Sequence, residues 1–231
     1  MTTKSGGRTY GGVSATQRQQ QRRAALIAAG LELFGTQGYL NVSVKKICDE
    51  AGLTQRYFYE SFPDRINLLA ATYEHCVEIA RNASILAAAQ VLERNGVGEG
   101  PVPAAVIPSL AQEALGGFIQ SLVDDPRRAR VILIEVVGVA PEIEKLRLAA
   151  IHDWADLIAG FASNGQPTTP RQKIAAIGLV GAITQLLVDW QMAISDPISD
   201  SAGPDLFQVE AVHEVVTEMF VATYDRLFKL T

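Results

Sequence analysis

Residues 43–62 read Ser43-Val44-Lys45-Lys46-Ile47-Cys48-Asp49-Glu50-Ala51-Gly52-Leu53-Thr54-Gln55-Arg56-Tyr57-Phe58-Tyr59-Glu60-Ser61-Phe62. Ser43 suits the N-cap of a helix that carries Val44, Ile47, Cys48 and Ala51 on one face. Val42 and Ile47 stand at the two positions of a hydrophobic staple. Ala51-Gly52-Leu53 leaves room only for a sharp reversal, after which Thr54 caps a third helix stapled by Leu53 and Phe58. Two short stapled helices joined through a glycine turn describe a helix-turn-helix; an ordinary corner between two helices has the same outline. The third helix separates the two readings. Around Phe58 it offers Gln55, Arg56, Tyr57, Tyr59, Glu60 and Ser61, polar or amphipathic groups that a helix inside a core would not carry.

Upstream, Leu26, Ala29, Leu33 and Phe34 repeat at helical spacing from Arg18, and Gly38 ends that helix. Residues 1–17, rich in Gly, Ser and Thr, are expected to form a flexible arm whose Arg8 could enter a minor groove. Residues 1–65 hold nine basic and five acidic residues, a charge of +4, whereas the full 231 residues carry −5. A cationic head on an anionic body suggests that the head alone meets a polyanion.

Downstream the chain continues as helices, over 63–94, 103–123, 126–138, 141–163, 171–195 and 205–229, so an all-α fold of about nine helices is expected. A hydrophobic fraction of 48% supplies a core, and the net charge excludes a protein coated in basic residues. Two lone cysteines, Cys48 and Cys76, make no disulfide framework and fit a reducing cytoplasm; a redox role for either stays open. No apolar run follows Lys4 and Arg8, and the uncharged stretch 174–188 is shorter than a membrane helix needs, so a soluble cytoplasmic protein without membrane contact is expected. No nucleophile elbow, zincin motif, Walker loop or strand-linked glycine fingerprint is present. His75, His152 and His213 lie far apart, and neither enzyme activity, metal nor cofactor is expected.

Several anchors in order, Ala24–Phe34 with Gly38-Tyr39, Ser43-Val44 with Ile47, Ala51–Thr54, Phe58–Phe62 and Arg65–Leu69, resemble the N-terminal DNA-binding domain of the TetR family of bacterial transcriptional regulators. Arg65 stands where that family usually has Lys, and Ser61 where it usually has His or Tyr. The resemblance implies a helix-turn-helix domain over 18–65 and a ligand-binding and dimerisation domain over 66–231. It also implies a dimer on a palindromic operator and, most often, repression relieved by a small molecule; activation stays open.

The DNA-binding candidates are Ser43, Lys45, Lys46, Thr54, Gln55, Arg56, Tyr57, Tyr59, Ser61 and Arg65. Arg56 suits the two guanine acceptors and Gln55 suits adenine; Tyr57 fits a thymine methyl or a phosphate. Ser43 and Thr54 suit phosphates at helix N-termini, and the cations add charge. The resemblance gives Tyr59 a backbone contact. Homodimerisation is expected through 171–195 and 205–229, where Ile174, Ile177, Gly178, Gly181, Gln185 and Val188 share a face. An apolar or amphipathic effector would sit among the body helices, with Tyr73, Phe118, Glu135, His152, Trp154, Gln185 and Trp190 as candidates. Glu135 interrupts the apolar run 131–139, so it either meets a ligand or pairs with Arg130 or His152.

Overall fold

The first helix, α1 (Ala15–Gln37), begins inside the expected arm. Ser14 and Gln17 close a capping box: the Gln17 N–H donates to Ser14 Oγ at 3.1 Å, and the Ser14 N–H donates to Gln17 Oε1 at 2.8 Å. That reciprocal pair starts the helix at Ala15, three residues before Arg18, so residues 15–17 are helix rather than arm. The computed structural model describes residues 14–98, 100–164, 166–195 and 208–229; the remainder of the arm, with Arg8, lies outside them.

Gly38 closes α1 at φ 82° and ψ 145°, a conformation that disfavours any side chain, and its N–H reaches Phe34 O. After a short turn over Tyr39–Asn41, Ser43 caps α2 (Val44–Ala51), Gly52 turns the chain in the left-handed region, and α3 (Gln55–Ser61) follows. Leu26, Phe34, Ile47, Phe58, Phe62, Leu68 and Leu69 interlock as the head's core. Each such side chain contributes about 1.5–3 kcal/mol on burial. Helix α4 (Arg65–Arg94), capped by Asp64 on the Asn67 N–H at 2.8 Å, carries the chain out of the head into the body.

The body contains α5 (Ile107–Asp124), α6 (Pro126–Arg130), α7 (Pro141–Ala162), α8 (Pro170–Ser195) and α9 (Val209–Leu227); among the described residues there are no strands. Two expected boundaries move. The helix expected from 103 starts at Ile107, after a tight turn over Ala104–Val106. The helix expected over 126–138 is α-helical only to Arg130 and then widens into a π turn, Val131–Glu135. Helices α4 and α5 pack closely enough that a Cβ on Gly117 would stand 2.8 Å from Ala83 O, and Ser84 Oγ donates to Ala114 O at 2.8 Å. Asn164 fastens the α7–α8 connection to Val102 through both backbone groups.

Helix α8 divides its apolar residues. Leu179, Ile183, Leu187 and Trp190 face the core, while Ile174, Ile177, Met192 and Ile194 face outward. It is 26 residues long and, by length and composition alone, apolar enough to cross a membrane. The shorter uncharged stretch read from the sequence did not register this, because the helix extends beyond it at both ends.

Candidate nucleic-acid interface and internal cavity

Phe58 is fully buried, and that fixes which side of α3 looks outward. Gln55, Arg56, Tyr57 and Tyr59 are exposed together on that outer side, with Tyr59 more than half accessible. Arg56 Nε donates to Glu60 Oε1 at 2.9 Å across one helical turn. Arg22, on α1, stacks 4.5 Å over the Tyr57 ring and reaches Glu60 at 3.8 Å. Arg22 was not among the sequence candidates. Its spacing marks it only as the polar side of α1, and what joins it to this face is the crossing of α1 over α3.

The other candidates divide by how they are held. Ser43 Oγ accepts from the Lys46 N–H at 3.2 Å, an N-cap bond. Thr54 occupies the N-cap of α3 but its hydroxyl makes no cap bond. Lys45 is ion-paired with Asp49 at 2.6 Å, and that hydrogen bond raises its pKa. Lys46 Nζ donates to Gln37 Oε1 and to Asn41 O, fastening α2 to the end of α1.

Two candidates do not join the outer face. Ser61 Oγ is buried, without a hydrogen-bond partner among the described residues, because its position on α3 points toward the head's interior. Arg65 is drawn inward as well: Nη1 donates to the carbonyls of Tyr39 and Val42, and the guanidinium lies 4.8 Å from the Tyr39 ring. It staples the turn before α2 to the start of α4.

Head and body meet where α1 crosses α6. A Cβ on Gly35 would stand 2.4 Å from Arg127 Cβ and 2.7 Å from its Cα, so the two helices touch backbone to backbone. Arg127 spans the joint, with Nε and Nη2 on Asp125 at 2.8 and 2.9 Å and Nη1 on Glu32 at 2.5 Å. Burial pushes the Asp125 carboxyl upward, but the Arg127 hydrogen bonds and the charges of Arg127 and Arg128 outweigh it and hold the pKa below its ordinary value. Glu135 belongs to this joint. It accepts from Arg130 Nε at 2.8 Å and from the Tyr39 N–H at 2.6 Å.

The body encloses a cavity of about 470 Å³ among α4, α5, the π turn, α7, α8 and α9. Tyr73, Phe118, Trp154 and Gln185 line it. Phe118 and Trp154 meet edge to face at 5.1 Å between ring centres. Glu135, His152 and Trp190 do not: Glu135 is bound at the joint, His152 is exposed on α7, and Trp190 is packed in the core beside Leu122 and Leu187. Lining residues that sequence reasoning did not single out include Arg147, Ile151 and Thr184; only the packing of α7 and α8 around the space identifies them. Cys48 and Cys76 are buried, and burial raises both thiols, that of Cys76 to about 12, which favours their protonated forms.

Residues 26–72 match the sequence model of bacterial regulatory proteins of the tetR family. No curated protein matches the chain. Among solved structures, a bacterial regulatory protein in the tetR family from Rhodococcus RHA1 superposes with a TM-score of 0.55 at 20% identity, covering 86% of this chain and 96% of the other. A TetR family transcription regulator from Marinobacter aquaeolei VT8 gives 0.57 at 15% identity, covering 93% and 100%. The fatty acid degradation regulator FadR from Bacillus halodurans gives 0.59 at 13% identity, covering 85% and 94%. Residues 26–72 thus match the sequence model of tetR-family regulatory proteins, and the chain shares its fold with solved regulators of that family.

Proposed function

We propose that the chain is a ligand-responsive transcriptional repressor that binds a palindromic operator in the cytoplasm as a homodimer. The observation that carries this reading is the outward cluster Gln55, Arg56, Tyr57 and Tyr59 on α3, held rigid from behind by buried Phe58. Side chains near the N-terminus of such a helix meet base edges in the major groove. Arg56 reads guanine O6 and N7, and Gln55 reads adenine. Ser43, Thr54, Lys45, Lys46 and Tyr59 contact phosphates and set the register. Residues 18–65 act as the DNA-binding unit and 66–231 as the ligand-binding and dimerisation unit.

One short helix reads one half-site, so a second copy placed about 34–36 Å away supplies the other. Ligand in the cavity favours a dimer whose two α3 helices no longer match successive major grooves. A coupling of about 1–3 kcal/mol lowers operator affinity roughly 5–150-fold, enough to release a promoter.

The test selects bound duplexes from a random pool and then titrates the enriched site against salt. A two-fold symmetric site is expected, with log affinity falling steeply and linearly against log salt. A contact with another protein through the same helix would give no enriched duplex and a shallow salt response, and that result would replace the reading.

A further inference from the structure

The cavity's chemistry is lopsided. Among the described residues lining it, Arg147 alone is charged, and it is a cation. Its Nε and Nη2 donate to Glu144 Oε2 at 3.1 and 3.0 Å, while Nη1 has no partner among the described residues. Glu144 is itself steadied by the Gly138 N–H at 2.8 Å. Tyr73 is 96% buried, lines the same cavity, and its hydroxyl has no hydrogen-bond partner among the described residues. Burial pushes that phenol's pKa up to about 12, opposed by the charge of Arg147, so it stays a hydrogen-bond donor at neutral pH. Of the other polar lining groups, Ser84 is engaged with Ala114 O, Thr184 with Val180 O and Gln185 with Asp189, while the Trp154 indole N–H, two turns along α7 from Arg147, makes no hydrogen bond among the described residues.

Shape adds a second constraint. On α7 the lining residues Arg147, Ala150, Ile151, Trp154, Ile158 and Phe161 form one helical stripe with Arg147 at one end. Fourteen residues of helix rise roughly 20 Å. The cavity of about 470 Å³ lies against that stripe, so a ligand in it can extend along α7 from Arg147. The far end is apolar and aromatic.

We propose that the cavity takes a largely apolar monocarboxylic acid, lying along α7 with its carboxylate on Tyr73 Oη and Arg147 Nη1. A buried phenol without a partner and a guanidinium with a spare edge are two donors lining one cavity, near enough for the Arg147 charge to act on the phenol, and a carboxylate accepts from both. The apolar tail takes the place of water along the rest of the cavity. This assignment rests on the reading of the body as a ligand-binding unit, and it names the class of ligand.

The experiment measures binding of dodecanoate, dodecan-1-ol and dodecylamine to the full-length free protein by calorimetry, below their micellar concentrations. Dodecanoate is expected to bind at least about tenfold tighter than the alcohol, since a charge-assisted hydrogen bond separates them, and the amine weakest. Arg147→Gln should erase the difference between acid and alcohol, and Arg147→Lys should restore part of it. Tyr73→Phe, which keeps the packing, should weaken the acid several-fold. Equal affinity for acid and alcohol, an unchanged ratio in both Arg147→Gln and Tyr73→Phe, or no binding of any of the three would overturn the proposal. Operator affinity of the ligand-free protein is measured separately. Its loss would count against the DNA-binding reading and leave the ligand assignment standing.

Discussion

Arg56 and Glu60 sit one turn apart on the outer side of α3, paired at 2.9 Å, so the residue best suited to read guanine is partly masked by its own helix. An exposed pair of this spacing contributes only about 0.3–0.5 kcal/mol, too little to withhold Arg56 from a base that offers two acceptors. Arg56→Ala should therefore cost roughly 1–3 kcal/mol of operator affinity and relax base choice at one position per half-site, as read by binding to a set of single-base operator variants. Glu60→Gln should act in the opposite direction. It removes the acidic group that also attracts Arg22, so operator affinity should rise about twofold at low salt, and the gain should shrink as salt screens it. If Glu60→Gln weakened binding, Glu60 would be positioning Arg56 rather than masking it. The outer face was legible in sequence because Phe58 stands among polar or amphipathic neighbours in one short helix, and it alone of them is buried. Ser61 and Arg65 were not, because their directions depend on groups far away in the chain: Arg65 is drawn to carbonyls 26 and 23 residues upstream, and no local pattern announces that.

Element boundaries were readable where a single residue enforces them. Ser43, Gly52, Pro126 and Pro141 each stand where a helix starts or stops. The π turn over Val131–Glu135 was not readable, since it interrupts a continuous apolar run. The departure from α-helical register coincides with Glu135 engaging the Tyr39 N–H and Arg130 across the joint. That turn gives α6 its place in the molecule, because Ile132 and Leu133 line the cavity while Arg127 and Gly35 hold the head. Gly35→Ala would push a methyl to within 2.7 Å of the Arg127 backbone, an overpacking that typically costs about 1–3 kcal/mol. The melting temperature should fall by roughly 2–12 °C, and the effect of bound ligand on operator affinity should shrink more than operator affinity itself. Asp125 gives the joint a pH signature. With its pKa held below the ordinary carboxylate value, its contribution is complete above that value and is lost as pH falls through the lowered one. Asp125→Asn should accordingly flatten the acid side of a stability-against-pH curve and leave the neutral region lower but level.

At the scale of the whole molecule, the charge difference between head and body favours approach to a polyanion by the head, while α8 in the body carries a set of exposed apolar residues. Ile174, Ile177, Met192 and Ile194 on α8 and Val215 on α9 are all exposed, and a Cβ on Gly178 or Gly181 would meet nothing within 4 Å. A run of this kind on a soluble monomer would be an association hazard, and α8 has enough apolar surface to pass a membrane test by composition. Under the proposed homodimer, pairing α8 and α9 with their copies in a four-helix bundle would cover it, and the two glycines would permit close approach of the helices. A charge at the centre of such an interface would be buried without a partner. Ile174→Asp, at a position 71% exposed in the single chain, should leave helix content and melting of the protomer nearly unchanged while shifting the mass measured by light scattering from dimer to monomer. The same variant should lose most of its affinity for the two-fold operator and keep only the weak, salt-sensitive affinity of one half-site, since each head alone makes half the phosphate contacts. A variant that stayed dimeric and bound the operator as before would move the dimer surface away from α8, and with it the geometry by which ligand in the body reaches the DNA.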